Sequence, residues 1–227
     1  MSPDPKVRSI IAEVNPMSPI SEAYRKLRTN LKYSESEKAL KVLMVTSAGA
    51  KEGKSTTAVN LAAVYAQAGQ RVLLLDCDMR KPTVHQTFAL SNRNGLSQVL
   101  SGQAEWGDAV QSTRIKNVHA LTSGPVPPNP SELLDATRMD RLLEQLREHY
   151  DIVLIDTPPV LAVSDAQIMA TRCDGVLLVV NARGAKRRET IKAREALLLV
   201  KAKIVGVALN GTPPREGYSY YEYSEQK

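Results

Sequence analysis

The stretch SAGAKEGKSTTAVNLA (residues 47–62) decides the fold of this chain. Residues 48–55 match the phosphate-loop pattern GxxxxGK[ST], except that Ala48 replaces the first glycine. An apolar run at residues 42–46 precedes the loop, and a helical pattern at residues 54–68 follows it. A strand, a glycine-containing loop and a helix in this order predict a nucleotide phosphate site. The alternative is a βα turn of the same shape that binds no nucleotide.

The residue types in this loop suit a bound triphosphate. Gly49 and Gly53 let backbone N–H groups turn inward around phosphate oxygens. The Lys54 ammonium reaches the β- and γ-phosphates, the Ser55 hydroxyl is a ligand for Mg²⁺, and Thr56 is placed to bond the α-phosphate. The nucleotide contacts predicted in the loop are Ala48, Gly49, Ala50, Lys51, Glu52, Gly53, Lys54, Ser55 and Thr56.

Apolar runs alternate with helical stretches along the rest of the chain. The runs after the loop are at residues 72–75, 118–121, 152–155, 176–180 and 204–209. Further helices are predicted at residues 130–149, 164–171 and 188–201. All the runs except that at 118–121 are nearly uninterrupted and rich in Val, Ile and Leu, which predicts strands buried on both faces. The fold class is therefore α/β, with a mostly parallel sheet between helices.

The same pattern divides the chain into three parts. Residues 1–17 contain several breakers and are predicted to be an extended N-terminal arm. Residues 18–211 are predicted to form a single domain that begins with a helix, and residues 212–227 are predicted to form a polar, mobile, tyrosine-rich tail.

Carboxylates follow two of the predicted strands. Asp76 and Asp78 come after the run at 72–75, and Asp156 ends the run at 152–155. Parallel strands bring their carboxyl ends to one edge of the sheet, where the phosphate loop also lies. There Asp76 and Asp78 divide two roles, one near Mg²⁺ and one as proton acceptor, while Asp156 stands beside the metal. The alternative for the first pair is a solvated strand end. Asn210, after the last run, either contacts the adenine edge or is a turn residue.

Composition narrows the class of partner. The chain has 30 Lys and Arg against 24 Asp and Glu, a formal charge of +6, which favours an anionic partner. Four of its eight tyrosines lie in the last ten residues, so the body has few stacking platforms and nucleic acid is not expected as a partner. No apolar run is long enough to span a bilayer.

Three motifs in order, SAGAKEGKST, LLLDCDMR and VLIDTPP, resemble those of the bacterial tyrosine kinases (BY-kinases). The resemblance extends from Met17 to the last residue and implies a phosphate-loop NTPase-like fold of the SIMIBI type. It also implies ATP and Mg²⁺ as cofactors. The implied catalytic residues are Asp76 as the base for the tyrosine hydroxyl, Asp78 and Lys54; the implied metal-binding residues are Ser55, Asp78 and Asp156.

Two further segments are similar to features of that family. Glu22, Arg25 and Arg28 match its ExxRxxR motif, which implies assembly of subunits into a ring; an intrahelical Glu22–Arg25 pair is the alternative. The tail is similar to the family's cluster of autophosphorylated tyrosines, whose members here are Tyr218, Tyr220, Tyr221 and Tyr223. Tail tyrosines that dock as aromatic anchors are the alternative.

The resemblance implies an ATP-dependent protein-tyrosine kinase that phosphorylates the tail in trans, with other protein tyrosines as further substrates. It implies regulation of exopolysaccharide or capsule synthesis, and a cytoplasmic location at the inner membrane face, to which a membrane-bound activator recruits the kinase. One alternative is a phosphate-loop ATPase switch that positions cargo on DNA or membrane. Gly49 stands where that class carries its signature lysine. A non-catalytic adaptor phosphorylated by another kinase is a third possibility.

Overall fold

The computed structural model describes residues 9–34 and 40–212. The tail tyrosines lie outside the described residues. The elements in chain order are α1 (Ile11–Val14), α2 (Pro19–Tyr33), β1 (Val42–Ser47), α3 (Lys54–Gln67), β2 (Val72–Asp76), α4 (Val84–Phe88), α5 (Leu96–Ser101), α6 (Trp106–Ala109), β3 (Val110–Ser112), β4 (Val118–Leu121), α7 (Pro130–Asp135), α8 (Thr137–His149), β5 (Ile152–Asp156), α9 (Asp165–Ala170), β6 (Gly175–Asn181), α10 (Arg187–Leu199) and β7 (Ile204–Asn210).

The described strands form one sheet in the order β3-β4-β2-β5-β1-β6-β7. Every pairing is parallel except that of β3 with β4. The predicted mostly parallel α/β sheet is therefore confirmed. In the register, Asp76 is the partner of Asp156, which is also the partner of Val45, so both acidic strands end beside the strand that leads into the phosphate loop.

Helices cover both faces of the sheet. Every residue of β1, β2 and β5 is buried, which explains their continuous apolar sequences. In one core cluster, α3 packs against one face of the sheet, and α1 and α2 pack on α3. The other cluster packs α8, α9 and α10 against the opposite face. None of the described helices has both the length and the apolar character needed to cross a bilayer.

The helix predicted at residues 130–149 is wrong as a single element. Ala136 adopts an extended conformation (φ −68°, ψ 147°) and separates α7 from α8. The Arg172 guanidinium stabilises the break, since it donates to both the backbone and the side chain of Asp135 at 3.0 Å and to Asp140 at 2.8 Å. This partner comes from a distant part of the chain, so local sequence did not predict the break.

The N-terminal arm also differs from the prediction over its described part. Residues 11–14 form a short helix instead of extended chain, and the side chains of Ile10 and Ala12 are buried. The Ala12 N–H donates to the Asn60 side chain at 3.0 Å, and Gln67 donates to the Ala12 carbonyl at 2.7 Å. The segment therefore docks on α3.

Candidate active site

The phosphate loop places the N-terminus of α3 at the carboxyl edge of the sheet. Gly53 has φ +96°, a left-handed conformation that favours glycine, and an added Cβ would overlap the Asn210 side-chain amide. Among the described residues, no side chain caps α3. Its first N–H groups, from Lys54 onward, therefore point from the helix end toward any anion in the loop.

The Glu52 side chain stabilises the phosphate loop through hydrogen bonds. Its side chain is 6% exposed, Oε1 accepts from the Gly49 N–H at 2.6 Å, and Oε2 accepts from the Asn181 N–H at 3.2 Å. The Asn210 amide donates to the Glu52 carbonyl at 3.1 Å. In this structure Asn210 therefore packs on the loop, and its adenine contact stays a prediction. Sequence reasoning missed the stabilising role of Glu52. The sequence does contain one indication of this role, because a carboxylate in a loop that binds anions needs partners other than the anion.

The predicted catalytic and metal residues converge on Lys54. The Lys54 Nζ lies 3.0 Å from the Asp78 carboxylate, 3.8 Å from that of Asp156 and 3.3 Å from the Ser55 hydroxyl. Burial opposes the charge on Lys54, but the carboxylates of Asp156 and Asp78 outweigh it and raise the lysine pKa. The ammonium is therefore held charged where it can meet phosphate oxygens.

Asp76 is fixed by backbone amides. Its Oδ1 accepts from the Asp78 N–H at 3.2 Å, and its Oδ2 accepts from the N–H groups of Thr83 and Val84 at 3.1 and 3.0 Å. The side chain is fully buried. This burial, together with the nearby Asp156 charge, raises the pKa of Asp76 to about 8. A carboxyl group with a pKa near neutrality is a stronger proton acceptor than an ordinary aspartate.

The donor set fits Mg²⁺ bound together with phosphates. Within residues 9–34 and 40–212, no cluster of three or more His, Cys, Asp or Glu side chains is arranged as a complete metal site. Mg²⁺ is usually held by one or two protein oxygens, with waters and substrate phosphates completing the octahedron. The Ser55 hydroxyl and the Asp78 carboxylate, which both contact the Lys54 ammonium, supply that kind of partial shell.

Arg80 connects the loop after β2 to α7 and α9. Its guanidinium bonds Asp165 in bidentate fashion, at 3.0 Å from Nε and 3.1 Å from Nη2, and donates to Ser131 at 3.0 Å. Ser131 in turn donates to Asp165 at 2.7 Å, and Asp165 is fully buried. Sequence reasoning missed this partnership, because Asp165 lies far along the chain at the start of α9.

An open cleft of about 500 Å³ lies beside the loop. It is lined by the start of the phosphate loop, by residues after β5 and by the first turns of α10: Ala48, Gly49, Ala50, Pro159, Leu161, Ala162, Glu189 and Lys192. Through this cleft, the phosphate loop is accessible from the side of α10 to a substrate group other than the nucleotide.

The three residues predicted for oligomerisation all make contacts within the chain. Arg25 pairs with Glu22 at 3.1 Å and donates to the Pro16 carbonyl at 2.6 Å. Arg28 donates to the Val64 carbonyl of α3 at 2.6 Å. The intrahelical pair weighed as the alternative is thus present, and the assembly role stays a prediction.

Comparison with known proteins identifies the family. The family model described as an AAA domain matches residues 40–187. The tyrosine-protein kinase YwqD of Bacillus subtilis (strain 168) is 45% identical over 216 residues, which cover 94% of this chain and 91% of that protein. The chain belongs to the bacterial tyrosine-kinase family. The kinase domain of the Escherichia coli tyrosine kinase ETK superposes with a TM-score of 0.88 at 38% identity, covering 96% of this chain and 86% of that chain.

This bacterial tyrosine kinase also shares the wider phosphate-loop fold. The septum site-determining protein MinD of Pyrococcus horikoshii, solved with Mg-ADP, has a TM-score of 0.64 and 26% identity, with 74% of this chain and 69% of that chain covered. The protein is therefore a protein-tyrosine kinase built on a phosphate-loop ATPase scaffold.

Proposed function

We propose that this tyrosine kinase uses Mg-ATP to phosphorylate Tyr218, Tyr220, Tyr221 and Tyr223 of a neighbouring subunit. The observation that carries the proposal is the convergence of Asp78 and Asp156 on Lys54 at the N-terminus of α3, which no described side chain caps. Without nucleotide, the two carboxylates balance the positive charge of Lys54 and of the helix end. A bound triphosphate supplies the negative charge in their place.

The residues divide the work by position. Ser55, Asp78 and Asp156 would hold Mg²⁺, which supplies charge neutralisation on the transferred phosphoryl group when bound. Lys54 neutralises charge on the phosphate oxygens. We assign the tyrosine proton to Asp76 in its deprotonated form, because a carboxylate whose pKa is raised to about 8 is a stronger base than an ordinary aspartate.

Transfer between subunits is supported by the open cleft at the phosphate loop. An acceptor tyrosine of another chain enters between the loop and α10 along the residues that line this cleft. In this proposal Glu22, Arg25 and Arg28 hold neighbouring subunits in a ring-like homo-oligomer. A membrane-bound activator recruits the kinase to the inner face of the membrane, where it regulates exopolysaccharide or capsule synthesis and phosphorylates other proteins.

Tail phosphorylation then loosens the assembly. Each phosphate adds roughly −1.5 to −2 charges, so four add about −6 to −8, comparable with the formal +6 of the whole chain. We expect the phosphorylated protein to show a lower mass by light scattering than the unphosphorylated one. An unchanged mass would contradict this step.

The kinase proposal is tested by mixing two variants with Mg-ATP and an activator fragment. One is Lys54→Ala with an intact tail, and the other keeps Lys54 but has the four tail tyrosines replaced by Phe. Mass spectrometry should find phosphotyrosine on the tail of the Lys54→Ala protein only in the mixture. Phosphate on Lys54→Ala incubated alone would indicate another kinase, and no phosphate in either case would count against transfer in trans.

The likeness to MinD favours one competing function, an ATPase switch that positions cargo on DNA or membrane. Salt-sensitive binding to DNA that appears only with ATP would support that function.

A further inference from the structure

We propose that four basic residues around the start of α10 bind the phosphorylated tail of the same chain. This α10 basic cluster consists of Arg183, Lys186, Arg187 and Arg188. The proposal rests on the proposed function, because it needs a phosphorylated tail, and it adds a binding site for phosphotyrosine outside the active site.

The cluster is exposed and has little compensating charge. All four residues are exposed, and Lys186 pairs with Glu189 at 3.4 Å. Across residues 9–34 and 40–212, the side chains of Arg183, Arg187 and Arg188 make no ion pair. Three exposed guanidinium groups that no described carboxylate pairs with are suited to bidentate recognition of phosphate.

The N-terminus of α10 adds to the positive potential of the cluster. The cluster precedes and forms the first turn of a helix that runs from Arg187 to Leu199. No described side chain caps its N-terminus, so its free N–H groups and its positive dipole end face the same region. A phosphate placed there meets both the guanidinium groups and the helix end.

The chain leaves the sheet beside this cluster. The Ala182 N–H donates to the Asn210 carbonyl at 2.8 Å, so the end of β7 lies against the loop that leads into α10. Arg187 follows Ala182 by five residues, which span at most about 18 Å, whereas Tyr218 follows Asn210 by eight residues, which span up to about 28 Å. The tail tyrosines can therefore reach the cluster of their own subunit.

Charge makes this docking dependent on phosphorylation. Residues 213–227 carry two basic and three acidic side chains, which give a net charge near −1 before modification. Four phosphates add about −6 to −8, which turns a weakly acidic segment into a strongly anionic one. Recognition of phosphorylated segments by clustered arginines is a general mode of peptide binding. The α10 basic cluster would thus hold the product tail after it leaves the neighbouring cleft.

The test uses a synthetic peptide of residues 213–227 with all four tyrosines phosphorylated, so no kinase activity is needed. Fluorescence anisotropy measures its binding to the unphosphorylated full chain. We expect the phosphopeptide to bind at least about tenfold more tightly than the unphosphorylated peptide, and Arg187→Gln/Arg188→Gln to weaken binding by about the same factor. The matched control, Arg93→Gln/Lys116→Gln, removes the same charge near the opposite edge of the sheet and should bind like the parent.

Other outcomes overturn the proposal. Binding that Arg187→Gln/Arg188→Gln leaves unchanged, but that Mg-ATP or Lys54→Ala abolishes, would place the phosphopeptide in the active site. Sedimentation of the protein with phosphatidylglycerol vesicles through Arg187 and Arg188, without phosphopeptide binding, would make the cluster a lipid site. A tail that is never phosphorylated would refute the proposed function, while the peptide result would still report on the cluster itself.

Discussion

Gly53 shows how one residue shapes the phosphate loop. Its φ of +96° costs a residue with a side chain about 1–2 kcal/mol, and an added Cβ would also overlap the Asn210 amide. We expect Gly53→Ala to lower nucleotide affinity at least about tenfold, measured by isothermal titration calorimetry.

Gly69 provides the matched control for that substitution. It also has a positive φ, +84°, but an added Cβ would meet nothing within 4 Å. Gly69→Ala should therefore lower the free energy of unfolding by about 1 kcal/mol and leave nucleotide affinity unchanged. Equal affinities in the two variants would show that the Asn210 contact at Gly53 does not matter.

Asp76 gives the nucleotide-free protein a pH-dependent stability. Its pKa rises from an ordinary value near 3.9 in the unfolded chain to about 8 in the fold. Between these values the folded state binds the extra proton, so this group lowers the free energy of unfolding by about 1.4 kcal/mol per pH unit as pH rises. The contribution is fully present below the lower pKa and is lost above pH 8.

Urea denaturation of the parent and Asp76→Asn, across pH values from about 5 to 9, measures this contribution. His85 changes stability in the opposite direction, because burial lowers its pKa, but both proteins contain it and the difference cancels it. We expect the stability difference between the two proteins to vary with pH up to about 8 and then level off. Parallel pH profiles would be the contrary result.

At the scale of elements, the Arg80–Asp165 pair joins the loop after β2 to α9. Asp165 is fully buried, so Arg80→Gln leaves a buried carboxylate without its cation and should lower the free energy of unfolding by roughly 2–4 kcal/mol. The control is Arg71→Gln, whose pair with Asp151 is 61% and 41% exposed and is worth less than about 1 kcal/mol. Chemical denaturation measures both, and similar losses would contradict the role of burial.

Strands and helices differed in how far sequence predicted them. The strands predicted from apolar runs were placed to within one residue or so, because continuous apolar runs between helices are typical of a parallel sheet. Burial on both faces was wrong for β7, an edge strand whose Val207 and Leu209 are exposed. The break at Ala136 was missed because Arg172, from a distant helix end, satisfies the interrupted backbone. The short edge strand β3 was missed because three partly exposed residues, Val110–Ser112, carry no clear periodic signal.

In the candidate site, too, the sequence predicted some residues and missed others. Lys54, Asp78 and Asp156 were brought together as predicted, because parallel strands place their carboxyl ends at one edge. Glu52 as a brace and Asp165 as the partner of Arg80 were not predicted. Both act through contacts between residues far apart in the chain, which spacing within a motif cannot indicate.

At the scale of the whole molecule, the question is whether Arg25 works within the chain or between chains. Its bonds to Glu22 and to the Pro16 carbonyl hold the start of α2, yet its side chain is still 28% exposed and so is open to a second subunit. If the ring-like assembly depends on it, Arg25→Ala should lower the mass seen by light scattering to that of a monomer, with tail phosphorylation falling in proportion. Lys32→Ala removes the same charge from the exposed last turn of α2 and should leave the mass unchanged. An Arg25→Ala protein that melts at a lower temperature but keeps its assembled mass would instead make Arg25 a brace within one chain.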